Sequence, residues 1–158
     1  MITETEMLIT WLQDAYRRKS WHGTTLRGSL RGLDLDTLTW RAGEGRHAIW
    51  ELALHAAYWK HAVTRQLLGG PRGSFPKEGS NWFPAPEAPS LADWKRDLAL
   101  LDRMHQDLLA AVEGLAPEDL DRPSTKGGWR WRDLVQGVAA HDLYHAGQIQ
   151  LLKRLRQG

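Results

Sequence analysis

Apolar residues recur every three or four positions along four long stretches of the chain, and this spacing predicts four helices. Thr3 followed by Glu6 fits a capping box at the start of the first predicted helix, and Ser90 with Asp93 marks the start of the third. No strand pattern persists anywhere. The sequence therefore predicts an all-α four-helix bundle in a single domain, residues 1–158. The predicted helices cover residues 3–18, 48–68, 90–113 and 129–156.

Two shorter segments separate the first two predicted helices. A short helical piece is expected over 24–33, where leucines share one side. Residues 34–47 contain Gly43 and Gly45 and are predicted to form a loop.

A long connection follows the second predicted helix. Residues 69–89 hold five of the seven prolines and four glycines, and they lack helical or strand periodicity. At about 3.3 Å per residue, this segment could cross the length of a helix of about 30 Å. The third helix could then run parallel to the second, an arrangement that needs a long crossover loop.

Composition narrows the class of protein and of partner. The chain has 158 residues, of which 42% are hydrophobic and 25% charged, with a net charge of +2. These values are typical of a globular domain, and the small net charge does not indicate a basic surface that would bind nucleic acid. The acidic N-terminus lacks the apolar core of a signal peptide, and no apolar run approaches the roughly 20 residues that span a bilayer. We therefore expect a cytoplasmic protein that binds neither nucleic acid nor membrane.

Two histidines one helical turn apart are the strongest sign of chemistry. His141 and His145 share a helix face with Val138 and Ile149, where apolar side chains would be expected. His55 lies in a similar stripe of the second predicted helix. Buried imidazoles need partners for their ring nitrogens. Either a divalent metal binds all three or they are core histidines bonded to neighbouring polar groups.

Two polar residues lie one turn from these histidines. Glu51 precedes His55 and could orient that imidazole or act as a catalytic base, although a glutamate in a first turn also complements the helix dipole. Gln148 follows His145 and could bind a ligand or substrate, or simply lie at the edge of the core.

Several further side chains could line a substrate pocket, with ordinary packing as the alternative. His22 lies at a helix break and could approach the histidines. Tyr58 and Tyr144 could donate to an oxyanion, and tryptophans could form walls. These tryptophans are Trp21, Trp50 and Trp82.

The chain resembles the DinB-like superfamily, which is named for DNA-damage-inducible proteins. Three passages carry the likeness, in the same order and spacing and over nearly the whole chain. The last is the most specific, because the final helix of the family typically reads H-x-x-x-H-x-G-Q-I. The passages are residues 20–24, 47–60 and 141–149.

The resemblance implies an up-down-down-up bundle that binds a divalent metal, often zinc or nickel. The family's ligand positions correspond to His55, His141 and His145, and all three are present. Family members are often dimers, so a homodimer is expected. Some are similar to S-transferases that use bacillithiol or mycothiol, and related members act as maleylpyruvate isomerases.

The leading hypothesis is a metal-dependent transferase that joins a low-molecular-weight thiol to an electrophilic small molecule. The chain has no cysteine, so the thiol would come from outside. Two alternatives use the same three histidines. One is a hydrolase with a metal-bound hydroxide, and the other is a non-enzymatic stress-related protein that binds a metal or a ligand.

Overall fold

A computed structural model describes residues 1–125 and 127–158, and these residues form six α-helices and one short 3-10 helix, Pro117–Asp121, joined by turns and loops. The described residues contain no strand, only two isolated β-bridges, so the all-α prediction is confirmed. None of these helices combines the length and apolar character that crossing a bilayer requires. The helices are α1 (Glu4–Tyr16), α2 (Leu26–Ser29), α3 (Leu35–Thr39), α4 (Ile49–Leu68), α5 (Leu91–Glu113) and α6 (Trp131–Gln157).

The helix boundaries follow the predicted capping signals. The Thr3 hydroxyl accepts a hydrogen bond from the Glu6 amide at 3.2 Å, and the Glu6 carboxylate accepts from the Thr3 amide at 2.7 Å. Ser90 caps α5 in the same way, with Asp93 as its partner. Helix α4 ends at Leu68, and Gly69 caps it with a left-handed φ of 69°, which suits a residue without a Cβ.

The segment between α1 and α4 differs from its prediction. The expected loop over 34–47 contains α3, so the loop prediction was wrong for residues 35–39. The Asp34 carboxylate caps α3 by accepting from the Thr37 amide at 2.8 Å, and Leu38 anchors it in the core. A single buried leucine and one capping residue are too weak a pattern for periodicity to detect.

Helix α4 is central to the bundle. It packs against α5 and α6, while α1 also packs against both of these helices. Fully buried side chains such as Leu12, Leu101 and Ile149 join the helices, and burying each contributes roughly 1.5–3 kcal/mol. The facing surfaces of α4 and α6 carry the three histidines, so core packing fixes the distance between them.

The connection from α4 to α5, residues 69–90, forms no helix or strand. Phe75 and Phe83 are nonetheless buried in the core, with ring centroids 5.0 Å apart. The loop is therefore packed onto the bundle on both sides of Asn81 and Trp82.

A charged pair also joins α4 to α6 inside the bundle. The Lys60 ammonium donates to the Asp142 carboxylate, and neither side chain is exposed. Burial lowers the pKa of Lys60 and raises the pKa of Asp142, while their mutual attraction opposes both shifts. The Lys60 ammonium also lies 4.8 Å from the centre of the Tyr16 ring. Tyr16 in turn stacks on buried His105 at 3.8 Å.

Candidate metal centre

The three predicted histidines converge through the same ring nitrogen. The Nε2 atom of His141 lies 3.1 Å from Nε2 of His55 and 2.9 Å from Nε2 of His145. His55 comes from the first half of α4, and the other two come from the middle of α6. One ligand atom from each residue fits within 4.8 Å of the others, so the group could hold a metal ion.

Hydrogen bonds to the opposite nitrogens decide which atoms face one another. His55 Nδ1 lies 2.7 Å from the backbone oxygen of Asn81, and His145 Nδ1 lies 2.6 Å from Gln148 Oε1. Because carbonyl oxygens only accept, both Nδ1 atoms donate, and both Nε2 atoms present lone pairs.

This arrangement leaves His141 with too few hydrogens to form a hydrogen bond with both of the other histidines. In its neutral form, His141 Nε2 carries at most one hydrogen, so at least one of its two close contacts joins two lone pairs. His141 Nδ1 is buried and has no partner among the described residues. A divalent cation between the three Nε2 atoms would satisfy all the lone pairs, so the donor set fits a metal.

Burial keeps the three imidazoles neutral. It lowers the pKa of His141 to about 3, with His145 and His55 adding repulsion, and it lowers the pKa of His145 to about 4. The pKa of His55 is also lowered, chiefly by burial. At neutral pH all three are therefore in the deprotonated state that metal coordination requires.

Aromatic rings from the crossover loop and α4 surround His55. Trp82 stacks on the His55 ring at 3.9 Å and 8°, and His47 also stacks on Trp82, at 3.5 Å. The Trp59 ring lies edge-on to His55 at 6.4 Å and to His141 at 6.5 Å. These contacts restrict how the His55 ring can tilt.

The three histidines line a cavity of about 580 Å³, a size suited to a small-molecule ligand. Among the described lining residues, Arg46 is the one Lys or Arg side chain, and no carboxylate is present. The remaining walls are mostly apolar: Leu52, Trp82, Tyr144, Leu151, Leu152 and Leu155.

Gln148 and Glu51, the two polar residues singled out from the sequence, lie in different environments. Gln148 lines the cavity and binds His145 directly. The buried Glu51 carboxylate accepts from the Ala48 amide at 2.8 Å and from Arg41 Nη2 at 2.9 Å. These contacts stabilise the start of α4.

Four residues proposed for the substrate pocket lie elsewhere, and one of them, Trp21, is fully exposed. Trp50 has no exposed surface and donates from Nε1 to Asp97 at 2.8 Å. Tyr58 lines a separate cavity. The exposed His22 ring is bound to Ser20 Oγ at 2.7 Å and borders another surface depression. Their spacing in the sequence does not reveal that they point away from the three histidines.

Asn81 was missed by the sequence reasoning, although it binds His55 directly. The available signal is its place in Gly79-Ser-Asn-Trp82, because glycine, serine and asparagine favour tight turns. Such a turn ahead of a tryptophan marks a point where the loop contacts the bundle. It does not indicate which side chain receives the contact.

Comparison with known proteins assigns a family. A family model described as the DinB superfamily matches residues 20–149, which include the three histidines, Asn81 and Gln148. Neither a curated protein nor a solved structure shows significant similarity to the chain.

Proposed function

Because the chain belongs to the DinB superfamily, whose members often bind metal, we propose that it is a metal-dependent thiol transferase. In this proposal His55, His141 and His145 bind a divalent cation. Imidazole ligands suit several transition metals, and zinc or nickel is expected because the DinB-like resemblance implies these two. The supporting observation is the convergence of three Nε2 atoms that have too few hydrogens between them to form a hydrogen bond at each close contact. The reaction would join a low-molecular-weight thiol to an electrophilic small molecule.

The protein residues would orient the centre and shape the reaction space. Three neutral histidines add no negative charge, so they leave the charge of the cation uncompensated. When bound, a divalent cation would lower the pKa of a coordinated thiol and supply a thiolate at neutral pH. The apolar cavity walls would hold an electrophile and exclude water, while Arg46 could pair with an acidic group on the thiol.

Atoms and charges balance in the proposed transfer without a redox partner. The thiolate sulfur forms a bond to the electrophilic carbon, and the leaving group departs with its bonding electrons. The thiol proton passes to solvent at the open side of the cavity. Glu51 would have to leave its contacts with Ala48 and Arg41 to accept that proton.

The first experiment is to measure the metal content of protein purified without a polyhistidine tag, for wild type, His141→Ala and His61→Ala. His61 is a matched control because it lies on α4 outside the three-histidine group. We expect about one metal per chain in wild type and in the control, and none in His141→Ala. If wild type holds no metal and cannot be reloaded, metal binding is excluded.

The second experiment tests the reaction. Zinc- and nickel-loaded protein would be mixed with 1-chloro-2,4-dinitrobenzene and, in turn, with cysteine, glutathione and bacillithiol, while free thiol is followed. Thiol loss that requires both the metal and His141 supports the transferase. Turnover of ester substrates without thiol would indicate a hydrolase instead, and tight metal binding without turnover of either kind would indicate a binding protein.

A homodimer is a further part of the proposal. Helix α6 exposes Tyr144, Leu151 and Leu155 on one face beside the cavity. Pairing two such faces would remove this apolar area from water. Sedimentation should give a dimer for wild type and a shift toward monomer for Leu155→Glu, whereas a monomeric wild type would reject the dimer.

A further inference from the structure

One loop residue contacts α4 through both its backbone and its side chain. The backbone oxygen of Asn81 accepts from His55 Nδ1 at 2.7 Å, and its side-chain Oδ1 accepts from Trp59 Nε1 at 3.0 Å. His55 and Trp59 are one helical turn apart, so they present both donors on the same side of α4. The crossover loop is thereby fixed to α4 beside the metal centre.

The backbone of Asn81 has an uncommon conformation. Its φ of 68° is the one positive φ at a non-glycine residue within 1–125 and 127–158. Most side chains disfavour this left-handed region, but asparagine and aspartate tolerate it better than others. Because φ and ψ set the direction of the carbonyl, a return to an extended conformation would turn the oxygen away from His55.

We propose that Asn81 is a positioning residue for the metal centre. Its side-chain bond to Trp59 stabilises the left-handed conformation, and that conformation holds its carbonyl on His55 Nδ1. The hydrogen on Nδ1 leaves the Nε2 lone pair directed at His141 and His145. The inference rests on the proposed metal binding, and it assigns a role to a residue that would not itself touch the metal.

The neighbouring residue completes the constraint on the same ring. Trp82 stacks almost parallel to His55, with ring centroids 3.9 Å apart. The Asn81 carbonyl restrains rotation of the imidazole within its plane, while Trp82 restrains its tilt. Two consecutive loop residues therefore define the orientation of one ligand.

The other two histidines are held differently. His145 is bound by Gln148 on the same helix, and His141 Nδ1 has no partner in the described chain. The loop thus acts on the one ligand supplied by α4. A carbonyl or carboxylate on the outer nitrogen of a metal-binding histidine commonly changes metal affinity 10- to 100-fold when removed.

Zinc affinity, measured by competition with a chromophoric chelator, tests the proposal with a graded set of variants. Asn81→Ala keeps the loop length but disfavours positive φ and removes the bond to Trp59, so we expect zinc affinity to fall about 10-fold or more. Asn81→Gly permits positive φ and should lose less. Asn81→Asp tolerates the same conformation and can still accept from Trp59, so it should retain wild-type affinity or exceed it. Glu78→Ala, an exposed change in the same loop, should have no effect.

The bond between Asn81 and Trp59 has its own control. Trp59→Phe keeps an aromatic ring but removes the Nε1 donor, so it should weaken zinc binding about as much as Asn81→Gly. Combining the two changes should cost little more than either alone, because both remove the same hydrogen bond. Additive losses would overturn the proposed link between Trp59 and the Asn81 conformation.

A tautomer measurement separates positioning from a general structural effect. In ¹⁵N NMR spectra, zinc-free wild type should show His55 protonated at Nδ1. Asn81→Ala should show a mixture of tautomers, with its unfolding midpoint lowered by no more than a few degrees. If wild type binds zinc, and Asn81→Ala binds it with the same affinity and keeps the same His55 tautomer, the positioning role alone is overturned. Failure of wild type to bind either zinc or nickel would overturn metal binding and the positioning role together.

Discussion

Replacing His141 by leucine should change stability in opposite directions with and without metal. In zinc-free protein, His141 has a buried Nδ1 without a partner and an Nε2 atom crowded by two other nitrogens. An unsatisfied buried polar atom costs about 1–3 kcal/mol. Leucine has no polar atom to satisfy, so we expect zinc-free His141→Leu to be about 1 kcal/mol more stable than wild type.

Zinc should reverse this order. A ligand at 100 times its dissociation constant stabilises the folded state by about 2.7 kcal/mol, and His141→Leu should lose that gain. At that zinc concentration the variant should therefore be about 1.7 kcal/mol less stable than wild type. For a domain of this size each kcal/mol corresponds to roughly 2–4 °C in the unfolding midpoint.

His105 offers a matched control for this reversal. It has no exposed surface, and neither ring nitrogen has a partner in the described residues. His105→Leu should also stabilise the zinc-free protein, but it should leave the stabilisation by zinc intact. Urea unfolding followed by tryptophan fluorescence, with chelator or with buffered zinc, would measure both effects. Equal zinc stabilisation in wild type and His141→Leu would refute the assignment of His141 as a ligand.

Three further predictions concern the remaining buried polar groups. Burial, with repulsion from Lys60, lowers the pKa of His105 to about 2, far below its value of about 6.5 in the unfolded chain. Because the unfolded chain takes up a proton at this site first, the free energy of unfolding decreases as the pH is lowered below about 6.5. At pH 5 this site should cost about 2 kcal/mol, and unfolding of His105→Leu should depend less on pH than that of wild type. Lys60→Met should destabilise by about 3–5 kcal/mol because it leaves Asp142 buried without its partner, whereas adding Asp142→Leu should restore much of the loss; a larger loss in the double variant would contradict this account. Glu51→Gln should cost about 0.5–2 kcal/mol by weakening the start of α4 and its contact with Arg41, and a loss of thiol turnover at unchanged stability would instead support a catalytic base.

The parts of the fold that the sequence predicts well are those with strong local signals. Capping residues such as Thr3 and Ser90 bond to residues three positions away, so a few neighbouring residues determine where α1 and α5 begin. The three histidines were identified because they occupy apolar helix faces, where a polar ring is conspicuous. Helix α3 lacks such a pattern, since one buried leucine gives no periodicity.

The surroundings of the site could not be predicted in the same way. The spacing of Trp50 and Tyr58 shows that they belong to α4, but only the packing of the bundle decides that Trp50 is buried and that Tyr58 lines a separate cavity. Asn81 acts on His55 across 26 positions of sequence, through a backbone atom that every residue possesses. The contact depends on the backbone conformation of Asn81, and neither the composition nor the spacing of hydrophobic residues predicts that conformation.

The distance between the histidines along the chain sets an order of events during protein synthesis. His55 and His141 are separated by 86 positions, and two of the three proposed ligands lie on α6, which is synthesised after α4. A ribosome-bound chain that has not yet released α6 presents one of the three proposed ligands, His55. Loading of the complete three-histidine centre would therefore begin only once α6 has docked against α4.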